Sequence, residues 1–284
     1  MERFHQSPNI YVGEVNLKVL DLQKMTRFYQ EFIGFRVLER SDDRTVLTAD
    51  GKTPLLTLER PADVVPRAER TAGLYHFAIL LPSRADLSAF LRHLLESDYP
   101  MGAADHAVSE ALYISDPEGN GIEVYRDRPS SEWTWDDNNR VHMVTDPLDV
   151  RGILAESDAP WTGLPEEAVM GHIHLHVGDL EAAEEFYARG LGFDVVSYYP
   201  QAAFLSTGRY HHHIAVNTWQ GTGIPNAPGD SAGLNWYSLI FPDQEAVDQA
   251  ADRLRRIGAP VKPISEGYLT SDPSGNRIRL VVPD

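Results

Sequence analysis

The sequence predicts an α+β protein made of four repeated βαβββ modules, and three observations carry that expectation. First, "GEVNLKVLDLQKMTRFYQEFIGFRVL" (Gly13 to Leu38) aligns without a gap on "GHIHLHVGDLEAAEEFYARGLGFDVV" (Gly171 to Val196). Second, "GLYHFAILLP" (Gly73 to Pro82) matches "GLNWYSLIFP" (Gly233 to Pro242), and "LYISDPEGNGIEV" (Leu112 to Val124) matches "YLTSDPSGNRIRLV" (Tyr268 to Val281). Third, each repeat opens as a strand, passes into a helix and closes on strands separated by turn residues.

Taken in order, the modules span about 11–60, 73–126, 170–219 and 233–283. Each first strand alternates apolar and polar residues, so one face is buried and the other is polar. Asp21 and Asp179 stand where an N-cap belongs, and Phe28-Tyr29 and Phe186-Tyr187 fall on the core-facing side of the following helix. Gly34 and Gly192 are placed to end those helices. "SDPEGNG" and "SDPSGN" carry Pro, Gly and Asn in the order a turn between strands requires. Residues 127–168, with "DRPSSEWTWDD" and "SDAPWTGLP", break the repeat. The chain therefore divides into an N-terminal half at 1–126, a linker at 127–168 and a C-terminal half at 169–284.

Composition narrows the function. Twenty-five Lys and Arg against forty-two Asp and Glu give a net charge of -17, which repels nucleic acid and anionic membrane surfaces. With no cysteine there are no disulfides, thiolate metal sites or Cys nucleophiles. The segment "MERFHQSPNIYVGEV" lacks a signal-peptide pattern, and no stretch reaches the roughly 18 apolar residues of a membrane span. A cytoplasmic protein is the expectation, and open sheet edges make a homo-oligomer plausible.

The repeat resembles the vicinal oxygen chelate superfamily (glyoxalases, bleomycin resistance proteins and extradiol dioxygenases). That resemblance implies that the modules pair into two open, curved β-barrels with helices outside, built around a metal. Superfamily members commonly supply ligands from the first and last strands of a module, here His76 and Glu123 in the second module. The corresponding residues of the fourth module are Trp236 and Arg279, neither of which can bind a divalent cation. In the third module His172, His174 and His176 share one face of a strand; the first module has Glu14, Asn16 and Lys18 there. If modules 2 and 3 pair, the ligand set is His76, Glu123 and His172. Pairing of 1 with 2 would instead give Glu14, His76 and Glu123. The first is preferred because two imidazoles and one carboxylate form the facial triad of non-haem Fe(II) chemistry, with three positions open. His174 and His176 then line the cleft.

A closer resemblance is to type I extradiol dioxygenases of the bacterial catechol 2,3-dioxygenase kind, carried by "GLYHFAILLP", "DHAVSEALYISDPEGNGIEVY", "GHIHLHVGDL" and "YHHHIAVNTW". It implies cleavage of catechol or a substituted catechol by O2 at Fe(II), with Mn(II) as the alternative metal. It also implies an acid–base histidine in a His-x-x-Ala pattern, which selects His212, and a tyrosine ten residues before the carboxylate ligand, which selects Tyr113. Strand alternation would turn His212 to one face and His211 and His213 to the other. His174, His213 and His106 are candidates for supporting hydrogen bonds; Trp219, Trp236, Tyr210 and Phe77 are candidates for the pocket lining. Two rival functions follow from the same superfamily: a glyoxalase-like metal-dependent isomerase, which the Glu14 set would suit, and a metal-free small-molecule binding protein.

Overall fold

In a computed structural model that describes residues 4–283, each module folds as a strand, a helix and three further strands. The first contains β1 (Tyr11–Lys18), α1 (Leu22–Arg27), β2 (Arg36–Arg40), β3 (Arg44–Thr48) and β4 (Pro54–Glu59). The second contains β5 (Gly73–Leu80), α2 (Arg84–Glu96), β6 (Gly102–Asp105), β7 (Ser109–Ser115) and β8 (Gly121–Asp127). A short helix, α3 (Val150–Leu154), follows. The third module contains β9 (Val169–His176), α4 (Leu180–Glu184), β10 (Asp194–Tyr199), β11 (Ala202–Ser206) and β12 (Ile214–Asn217). The fourth contains β13 (Gly233–Ile240), α5 (Gln244–Arg256), β14 (Val261–Ile264), β15 (Gly267–Ser271) and β16 (Arg277–Val281).

Within every module the first strand lies parallel beside the last, as β5 does beside β8 and β9 beside β12. First strands of different modules then pair antiparallel: β5 with β9, and β1 with β13. Two eight-stranded curled sheets result, in the orders β10-β11-β12-β9-β5-β8-β7-β6 and β14-β15-β16-β13-β1-β4-β3-β2. Modules 2 and 3 thus share one half-barrel, and modules 1 and 4 share the other. The β5–β9 register sets His76 opposite His174 and Ala78 opposite His172.

The repeated motifs have structural reasons. Asp21 caps α1 by accepting from the Lys24 amide at 2.9 Å, and Asp179 caps α4 through the Ala182 amide at 3.1 Å. Both helices continue in π form, over Phe28–Ile33 and Glu185–Leu191, before stopping at Gly34 (φ 96°) and Gly192 (φ 92°). The buried tyrosine of each helix reaches the turn of the next module: Tyr29 donates to Asp116 at 2.7 Å, and Tyr187 to Asp272 at 3.0 Å. Asp116 also accepts from the amides of Glu118 and Asn120 and the Asn120 side chain, and Asp272 repeats this with Ser274 and Asn276. A carboxylate with four donors is stable when buried. "FY" and "SDPxGN" are therefore two ends of one tie between successive modules.

One apolar core runs through both sheets, from Val15 and Leu17 to Phe77, Ile173, Leu175, Tyr237 and Leu280. The segment after β8 packs Trp133 and Val141 against Val108, Val196 and Tyr210 on the inner half-barrel. Among the described residues no helix is long and apolar enough to cross a membrane.

Candidate metal centre

His76 on β5, Glu123 on β8 and His172 on β9 are neighbours on the concave face of the inner half-barrel because those three strands are adjacent. Glu123 Oε2 lies 3.0 Å from His76 Nε2 and 3.1 Å from His172 Nε2. All three side chains are buried, and among the described residues they form the group whose ligand atoms fall within 4.8 Å of one another.

The donor set fits a divalent ion. Ligand atoms about 2.1 Å from a six-coordinate cation sit about 3 Å apart in cis positions, matching both imidazole–carboxylate separations. His76 Nε2 is buried without a hydrogen bond despite lying beside the carboxylate. An unpaired buried nitrogen is costly unless something else satisfies it. Protonation states agree: burial lowers His172 from 6.5 to about 4 against the pull of Glu123, so it is neutral at pH 7. Burial would raise Glu123, but His172 and His76 outweigh it and hold the carboxyl well below its usual range. A neutral imidazole at His172 and an ionised Glu123 are the forms that bind metal.

The outer half-barrel has no such set at its equivalent positions. Arg279 lies over the Trp236 ring at 3.7 Å, and Glu14, which burial raises, is hydrogen-bonded to Thr57. Glu14 belongs to the other sheet and is not brought to His76.

Around the triad, His212 packs tilted against His172 with ring centroids 4.1 Å apart, and Tyr113 lies 5.6 Å from the His76 ring. Tyr113 is partly buried, and desolvation raises its pKa well above 10 with Glu123 adding to the shift, so it stays protonated. Its hydroxyl is 2.6 Å from His106 Nε2, and His106 Nδ1 is 2.7 Å from the Val144 carbonyl. The carbonyl can only accept, so Nδ1 carries a hydrogen, and in the neutral ring Nε2 accepts from Tyr113. His106, a candidate for a supporting hydrogen bond, is thereby the partner of Tyr113. A cavity of about 780 Å3 lined by His76, Tyr113, Tyr75, His176, Ile122 and Gln220 opens on this group.

His174 and His176 are buried and joined through Asn217, which donates to His174 Nε2 at 2.8 Å and whose Oδ1 is 2.8 Å from His176 Nδ1. Both are held below the ordinary histidine range by burial. His213 points elsewhere: its Nε2 meets the Phe4 carbonyl at 3.2 Å and its ring packs on His5. The histidine triplet precedes β12 instead of lying on it, so alternation does not apply. His211 and His212 face each other, with their Nδ1 atoms 2.9 Å apart. Of the aromatic lining candidates, Trp219 sits 5.2 Å from His174; Phe77 is in the core, Trp236 is in the outer sheet and Tyr210 is behind His211. Sequence reasoning missed Asp127, His211 and Asn217, which repeat no pattern shared between modules.

Comparison with known proteins agrees with this architecture. The family model described as Glyoxalase/Bleomycin resistance protein/Dioxygenase superfamily matches residues 11–124 and 169–280. The "Catechol-2,3-dioxygenase" of Bacillus subtilis (strain 168) is 44% identical over 277 residues, covering 96% of this chain and 97% of the relative. A crystal structure from Bacillus subtilis subsp. subtilis str. 168 shares the fold with a TM-score of 0.68 at 13% identity, covering 96% of this chain and 84% of that one. Glyoxalase I from Zea mays does so with a TM-score of 0.60 at 15% identity, covering 96% and 92%. With module matches in both halves and a relative similar along nearly its whole length, the chain belongs to the Glyoxalase/Bleomycin resistance protein/Dioxygenase superfamily.

Proposed function

We propose that this protein is an extradiol dioxygenase that opens the ring of catechol or a substituted catechol with O2. The observation that carries the reading is the convergence of two imidazoles and one carboxylate beside a buried histidine and a partly buried tyrosine, in a chain similar to a catechol-2,3-dioxygenase. His76, His172 and Glu123 would hold Fe(II), or alternatively Mn(II), whose ligand preferences are alike. When bound, the metal supplies the positive charge that favours the catecholate and the redox path between ring and dioxygen.

The remaining tasks fall to the chain. Because the Tyr113 hydrogen is committed to His106, its oxygen lone pairs can accept from a substrate hydroxyl. Tyr113 and His106 then form a short path for a proton leaving the ring oxygen. On the other side of the triad, His212 gives and takes a proton at Nε2 as the general acid–base. Burial of Glu123, His172 and His212 excludes water and strengthens every charge interaction inside the site. The cavity is of a size usual for small-molecule sites and leaves room for a ring substituent toward Tyr75 and Gln220.

The test is to load the protein anaerobically with Fe(II), add catechol and then oxygen, and follow the yellow ring-cleavage product, with His172→Ala alongside. The parent is expected to turn over, and the variant to lose both bound iron and more than about 100-fold in rate. A silent parent that retains stoichiometric metal would overturn the dioxygenase reading in favour of a glyoxalase-like isomerase.

A further inference from the structure

Behind His212 lies a chain of groups that the reaction itself does not require. Asp127, the last residue of β8, has Oδ1 2.7 Å from His211 Nε2, and His211 Nδ1 is 2.9 Å from His212 Nδ1. A carboxylate accepts only, so His211 Nε2 carries a hydrogen. With His211 in its neutral form its opposite nitrogen is an acceptor, and the hydrogen between the two rings then belongs to His212 Nδ1. His212 Nε2 has no hydrogen-bond partner among the described residues and keeps its lone pair.

The chain is braced. His211 is fully buried, with the Tyr210 ring 4.0 Å and the Trp133 ring 5.2 Å from its own. Tyr210 donates to the same Asp127 oxygen at 3.2 Å, and the Tyr125 hydroxyl lies 2.7 Å from that of Tyr210. Tyr125 fits only because residue 171 is glycine: a Cβ there would come within 2.0 Å of its hydroxyl. The Asp127 side chain is 20% exposed, so the line runs from the site toward the surface.

We propose that Asp127 and His211 are positioning residues that fix His212 in its Nδ1–H tautomer, leaving Nε2 as the nitrogen that meets the substrate. The proposal rests on His212 being the acid–base group of the proposed reaction. It differs from a hydrogen-bonded core cluster in requiring one particular tautomer and a negative charge at its far end. Replacing the carboxylate by an amide keeps the shape but lets the first hydrogen bond reverse, which reverses every bond after it.

The tautomer can be read without turnover. In metal-free protein labelled with 15N-histidine, long-range 1H–15N correlation spectra, with His212 assigned by its loss in His212→Gln, are expected to show hydrogen on Nδ1. In Asp127→Asn the hydrogen should move to Nε2. The Fe(II)-loaded variant should then lose about 10- to 100-fold in kcat, with KM for catechol and iron content near parental, and Asp127→Glu should regain part of the rate. A parent spectrum with hydrogen on Nε2, or an Asp127→Asn protein with unchanged kcat, overturns the proposal. If the parent cleaves no catechol, the dioxygenase reading fails, yet the spectrum of the parent still decides the tautomer.

Discussion

At the scale of single residues, the site depends on small choices as much as on its ligands. Gly171 separates His172 from Met170 and carries no side chain where Tyr125 needs the space. Gly171→Ala is therefore expected to push Tyr125 off Tyr210 and to cost about 1–3 kcal/mol in urea unfolding, as overpacked positions do. Unchanged stability would mean that Tyr125 has room to move. The resemblance points to His76 and Glu123, whose counterparts Trp236 and Arg279 have no ligating power, and the preferred pairing of modules 2 and 3 selects His172 over Glu14. Asp127, His211 and Asn217 could not be found in the sequence, because their partners lie 84, 1 and 43 residues away in the chain and no module repeats them. Side-chain alternation misled only at the histidine triplet, where the chain has not yet entered β12.

At the scale of elements, each half-barrel draws its geometry from the adjacency of first strands. The order of strands, helices and turns was legible because period, caps and turn residues all agree within each module. The π continuation of α1 and α4 was not, since an extra residue per turn leaves no clear mark on an apolar pattern of this length. The tie from Tyr29 to Asp116 joins the helix of one module to the turn of the next. Tyr29→Phe removes a charge-assisted hydrogen bond from a buried carboxylate and should destabilise the protein by about 1.5–3 kcal/mol. Tyr187→Phe should do the same through Asp272, and chemical denaturation of the two variants would reveal whether either tie is redundant.

For the whole molecule, the concentration of buried neutral imidazoles makes acid its weak point. His172 has a folded-state pKa of about 4 against 6.5, and burial also lowers His174, His212 and His213. Between those values the unfolded chain binds more protons than the folded one, so stability is full above about pH 6.5 and falls as pH drops toward 4. His172 alone accounts for about 3 kcal/mol of that loss. Urea midpoints of chelated protein should fall steadily from about pH 7 to about pH 5. A flat profile across this range would show that the imidazoles are hydrated or already charged.

The pairing of modules 2 with 3 and of 1 with 4 nests one half-barrel inside the sequence of the other, like an inner pair of brackets closed before the outer pair. During synthesis this sets a timetable. β5 and β9 can join as soon as the third module leaves the ribosome, whereas β1 must wait for β13, whose first residue is Gly233. At about 5–20 residues per second that wait is about 10–40 s. Through it the first module has a strand edge without its eventual partner, in a chain whose net charge of -17 discourages newly made copies from pairing through that edge. The inner half-barrel, which holds His76, Glu123 and His172, is thus the part of the molecule that can be completed first.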